Sequence, residues 1–134
     1  MARYATSLAG DPAATYRQME LVGRTTTNDP FALANMLYDE GIAALRTAAW
    51  AAQNFKFALK SERVTRATAV LFALESGLDF ERGGEVSRTL ASFYHGLRGQ
   101  VLHASLGTDP APFRDAADSL EEIAGAWASV RAAS

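Results

Sequence analysis

The sequence predicts an all-α fold, an antiparallel four-helix bundle preceded by an N-terminal tail, and three observations carry that reading. Apolar residues recur at alternating steps of three and four through four successive segments. Short stretches rich in capping and turn residues bound them, notably Asp29-Pro30, Gly83-Gly84 and Gly107-Thr108-Asp109-Pro110. Alanine, leucine and polar helix formers dominate, while β-branched residues thin out after Thr25-Thr26-Thr27. Amphipathic helices of similar length joined by short turns bury their stripes against one another as a bundle.

Residues 1–27 show no sustained period and include Gly10, Pro12 and Gly23. They are expected to form an extended or partly helical tail docked on the bundle through its aromatics, with residues 28–134 as the bundle itself. The first helix starts at Asp29-Pro30, an N-cap carboxylate followed by proline at the first helical position. Its stripe is Leu33, Leu37, Gly41, Ala44, Ala48, Ala51 and Phe55. A break near Gln53-Asn54, with Asn54 as cap, leads to a second helix with the stripe Phe57, Lys60, Val64, Ala67, Leu71, Leu74 and Leu78. Lys60 falls on that apolar face and is expected to snorkel from it into water.

The third helix is expected to begin after Gly83-Gly84, where paired glycines let the chain reverse, with Val86, Leu90, Phe93, Leu97, Val101 and Ala104 inside. Gly107 ends it, and Asp109-Pro110 opens the fourth, whose stripe is Phe113, Ala116, Leu120, Ile123, Trp127 and Val130.

The 134 residues fit one domain, which at this size buries roughly two-thirds of its unfolded surface. A formal net charge of -2 without blocks of like charge gives no nucleic-acid footprint. The absence of cysteine excludes disulfides and thiolate metal sites. The start has no apolar signal region, and no run approaches the roughly 18 residues of a membrane span. A soluble cytoplasmic protein without membrane insertion is therefore expected.

Catalytic and metal chemistry find no constellation. The Glu-x-x-His pairs of carboxylate-bridged bundles are missing, and His95 and His103, the two histidines, fall about 80° apart around a helix. Glu81 and Glu85 flank Gly83-Gly84 and read as helix-start carboxylates answering the macrodipole. The expectation is a binding protein, neither an enzyme nor the holder of a metal or cofactor.

Two features exceed a plain bundle. Tyr38, Ile42, Leu45 and Ala49 form a second apolar stripe on the first helix, and Val70 and Phe72 widen the apolar face of the second. Either the first helix is central and packs on two neighbours, or these faces form a groove for an amphipathic segment of a partner. Trp50 falls on the nominally polar face.

Several segments resemble the flagellar secretion chaperone FliS family. Asp29-Pro30-Phe31-Ala32-Leu33 through Leu37-Tyr38-Asp39-Glu40-Gly41-Ile42 is similar to the family's Pro-x-x-Leu followed by Leu-Tyr-Asp-Gly-Ala-Ile. Leu78-Asp79-Phe80-Glu81-Arg82-Gly83-Gly84-Glu85-Val86 is similar to its Leu-Asp-x-x-x-Gly-Gly-Glu-Ile. Leu90 and Tyr94 match a leucine and tyrosine further on, Trp127 a late Ala-Trp, and Tyr16 a tyrosine ahead of the first helix. The departures are Glu40-Gly41 for Gly-Ala, Thr89 for asparagine, Ser105 where Ala-Asn is usual, and Gly96 for an aromatic.

The resemblance implies an export chaperone that binds the disordered C-terminal segment of flagellin, prevents premature polymerisation and delivers the subunit to the flagellar type III export apparatus. It favours the groove, with Tyr16, Tyr38, Ile42, Leu45, Val70, Leu74, Tyr94, Leu97 and Val101 as client contacts. Tail residues near Tyr16 would cover part of the groove until a client displaces them. An anti-sigma factor and export-gate components are further partners it allows. The alternatives are a helical regulatory adaptor of the flagellar system and a homodimeric structural bundle.

Overall fold

The computed structural model describes residues 30–133, apart from the side chains of Pro30, Arg131 and Ala133. The expectations for the tail and for Tyr16 lie outside the described residues. Four helices follow one another: α1 (Pro30–Gln53), α2 (Phe57–Ser76), α3 (Phe80–Ala104) and α4 (Ala111–Ala133), with no strand among the described residues. None is long and apolar enough to cross a membrane.

Packing is unequal. α1 lies against both α2 and α4, whereas α3 packs on α2 and only lightly on α4. The composition of α1 explains its central place. Ala44, Ala48, Ala49, Ala51 and Ala52 are all buried, and their small side chains let two neighbours approach. At Gly41 the approach is tightest: a β-carbon there would stand 2.9 Å from Leu120 Cδ2 on α4 and 3.1 Å from Val70 Cγ1 on α2. Both stripes of α1 are therefore used inside the bundle. The second stripe, expected to face a partner, instead places Tyr38, Leu45 and Ala49 in the core, with Ile42 half-buried against it.

The α1–α2 connection is closed by the backbone. Lys56 N–H donates to Ala51 O at 2.8 Å and Phe55 N–H to Ala52 O at 3.4 Å, the two bonds of a Schellman ending. Phe55 takes the left-handed position at φ 58°, where glycine is usual. Asn54 does not cap α2. Its side-chain amide donates to Trp50 O at 2.8 Å, finishing α1, and Lys56 precedes α2 without a capping side chain.

Lys60 does not snorkel. Its side chain is 7% exposed, and its ammonium donates to Ser105 O at 3.1 Å and Gly107 O at 2.8 Å. The first turn of α2 thus satisfies carbonyls just past the end of α3, as expected where antiparallel neighbours bring opposite ends together.

The α2–α3 reversal comes earlier than the paired glycines. Gly77 ends α2, and Asp79 caps α3 by accepting from the N–H groups of Glu81 and Arg82. Gly84, at φ 49° and ψ -119°, then breaks the helical path one turn in. The kink is fixed from inside: Ser87 Oγ donates to Asp79 O at 2.8 Å, and a β-carbon on Gly83 would collide with that serine. In the last connection Asp109 accepts from Ala111 N–H at 2.9 Å.

Candidate functional site

Following each stripe along its helix locates the site. In the half of the bundle holding the α1–α2 turn, Ala48, Val64, Val101 and Phe113 are enclosed. Toward the opposite end the same stripes lose their cover. Leu33 on α1, Val86 on α3 and Val130 on α4 are exposed, and Leu78, Leu90 and Trp127 are only partly buried. The core is left open there because α3 enters through the Gly84 kink and meets α4 lightly.

The opening is an apolar groove of about 560 Å³. α1 contributes Phe31, Leu33, Ala34, Leu37 and Tyr38, and the end of α2 contributes Ala73, Leu74, Gly77 and Leu78. α3 adds Val86, Ser87, Leu90 and Tyr94 together with the capping turn, and α4 adds Trp127. Phe31 and Trp127 meet edge to face with ring centroids 5.4 Å apart, joining the start of α1 to the end of α4. Val86 stands 62% exposed on the α3 wall. The polar residues of the lining are few: Asp79, Arg82, Ser87 and the two tyrosines Tyr38 and Tyr94.

Those two tyrosines, the most deeply buried residues of the lining, form the floor. Tyr38 Oη and Tyr94 Oη are 2.6 Å apart, a hydrogen bond from α1 to its diagonal neighbour α3. The rings are 1% and 2% exposed. Burial pushes the Tyr38 phenol well above its ordinary ionisation range, and the bond to Tyr94 adds to that. Burial also raises Tyr94, against the opposing hydrogen bond from Tyr38. Both phenols stay protonated at neutral pH.

The groove brings together three of the expected contacts, Tyr38, Leu74 and Tyr94. Ile42 lies one turn further along α1, half-buried against the core. Leu45, Val70, Leu97 and Val101 are buried in the bundle interior and line no part of the groove. The physical reason is placement: α1, α2 and the later part of α3 are each flanked by two helices and turn their apolar residues inward to pack against both. Phe72 is exposed but covered by Arg98, whose guanidinium lies 5.4 Å from the ring centroid and also pairs with Glu75. Trp50 remains half-exposed.

Leu33, Leu78, Val86, Leu90 and Trp127 line the groove although their periodicity reads as core, and Phe31 joins them from outside any stripe. Periodicity reports which face of a helix is apolar, and says nothing about whether a neighbouring helix covers that face at a given height. The one local signal was Gly83-Gly84, beside which the stripe of α3 loses its cover.

Comparison with known proteins gives a consistent result. The family model described as flagellar protein FliS matches residues 12–134. The chain is 28% identical over 116 residues to the flagellar secretion chaperone FliS of Salmonella typhimurium, covering 86% of each protein. It is 26% identical over 112 residues to the FliS of Vibrio cholerae, covering 84% of this chain and 82% of that one. Flagellar secretion chaperone FliSB of Pseudomonas aeruginosa is 23% identical over 112 residues, with 84% and 89% covered.

Proposed function

The chain belongs to the FliS family of flagellar secretion chaperones, and from that premise we propose that its groove holds the C-terminal segment of flagellin before export. Flagellin held there is kept from polymerising and is delivered by this cytoplasmic carrier to the flagellar type III export apparatus. The observation that carries the reading is the open end of the core, an apolar groove of about 560 Å³ between α1, α2, α3 and the end of α4. An amphipathic segment laid into it completes the packing that the bundle leaves unfinished.

The energetics suit a holder. Ordering a disordered segment costs about 2–5 kcal/mol of gross interaction energy. Apolar burial at roughly 25 cal/mol per Å² offsets that cost, although area by itself does not set affinity. Leu33 and Val86 on the rim extend the contact beyond the enclosed part of the groove. Holding and release involve no bond chemistry, so the reading assigns no catalytic group.

Titration calorimetry of this protein with flagellin of the same genome, full-length and lacking its C-terminal segment, tests the reading. Binding that disappears on truncation supports it, and absence of binding to both forms overturns it. Val86→Asp places a charge on the groove wall at a position already open to water, so helicity should be kept while affinity falls at least tenfold. Unchanged affinity would move the client to another face.

A further inference from the structure

Resting on that reading of the groove, we propose that the Tyr38–Tyr94 floor donates one hydrogen bond to a neutral oxygen of the client, the side chain of an Asn, Gln, Ser or Thr set within its apolar docking face. The groove then reads one polar position as well as hydrophobicity, and fixes the register of the bound segment.

The argument is a count of donors and acceptors. The two hydroxyls sit 2.6 Å apart, so one donates to the other. One hydroxyl hydrogen is left over, and no carbonyl or carboxylate among the described residues accepts it. Buried donors are rarely left unpaired. The little surface these rings retain lies on the groove, because both line it. An oxygen seated there completes the network in surroundings where a hydrogen bond is strong.

The chemistry of that oxygen follows from its neighbours. A carboxylate would be desolvated in an apolar groove that already carries Asp79, while Arg82 stands out in solvent at the rim. Both phenols are held in their neutral form. A neutral acceptor loses less on entry. In a helical client the backbone carbonyls are already engaged with their own N–H groups, which leaves a side-chain oxygen.

Calorimetry with full-length flagellin of the same genome tests this. Tyr38→Phe with Tyr94→Phe removes both hydroxyls and with them the spare donor. The double variant should bind about tenfold more weakly than wild type with its helicity kept. Each single variant retains one spare O–H and should lose less. A folded double variant that binds as tightly as wild type overturns the proposal while leaving the chaperone reading intact. A second arm keeps the chaperone unaltered: each Asn, Gln, Ser and Thr in flagellin's C-terminal segment is replaced by Ala. One such change should cost about tenfold, and none doing so overturns the proposal even if the double variant fails to fold. Wild-type protein that binds no flagellin removes the underlying reading and this inference with it.

Discussion

Lys60 and Gly107 are joined by a 2.8 Å hydrogen bond from the ammonium to the backbone carbonyl, across 47 residues of chain. The same ammonium bonds Ser105 O, so one cation on the first turn of α2 closes the end of α3. It also lies 5.5 Å from the centroid of the Phe57 ring. Lys60→Met keeps the apolar stem and removes these bonds. A hydrogen bond to a charged group is worth about 1.5–3 kcal/mol, and a loss in that range should appear as a lowered urea midpoint with unchanged slope. A variant as stable as wild type would mean that water replaces the lysine at no cost.

Glycine-to-alanine substitutions should have opposite signs at two heights of the bundle. Gly41 has Leu120 and Val70 in the space of its missing β-carbon, both atoms belonging to buried side chains. Overpacking there costs about 1–3 kcal/mol and outweighs the roughly 1 kcal/mol that alanine gains in a helix. Gly96 has open space at that position and is exposed. Gly96→Ala should therefore stabilise by about 1 kcal/mol. Thermal unfolding of the two variants checks the pair, and equal signs would contradict the close approach at Gly41.

Phe55 occupies a left-handed conformation at the end of α1 while its side chain is exposed. A non-glycine residue there is strained by roughly 1–2 kcal/mol. Phe55→Gly should recover about 1 kcal/mol, reduced by the greater freedom of glycine in the unfolded chain and by loss of the edge contact with Phe57 at 6.1 Å. Denaturant unfolding decides it, and a destabilised variant would show that the ring contact outweighs the backbone strain.

The tyrosine pair makes stability depend on alkaline pH. Both phenols have folded-state pKa values raised by burial, so their neutral forms are favoured by folding. Their contribution is complete below the unfolded value of about 10 and is lost as pH rises through the folded values. Stability should fall above that point, and Tyr38 and Tyr94 should ionise only as the helical signal is lost. Phenolate absorbance and circular dichroism followed together test this. Ionisation of all four tyrosines in a still-folded protein would contradict the burial of the pair.

The division between what was legible and what was not runs along particular residues. Pro30 and Asp109-Pro110 mark helix starts, the second through a cap that Asp109 makes within one turn of chain. The α2–α3 boundary was misplaced because two signals overlap. Asp79 begins a helical turn, and Gly84 then breaks it, so the glycines mark a kink rather than the reversal. Lys60 looked like an exception to its stripe because its acceptors lie on a distant connection.

By itself the sequence determined the four helices, their apolar faces and the family resemblance, since periodicity, caps and motifs are properties of adjacent residues. The tertiary structure decided which apolar residues are sealed and which are open. Leu45 and Val86 both sit on apolar stripes, yet one is fully buried and the other stands on the wall of a groove. Their difference comes from the neighbours: α1 is covered on two sides, whereas the start of α3 is turned by Gly84 and meets α4 lightly. Burial is a relation between helices, and no pattern along one helix encodes it.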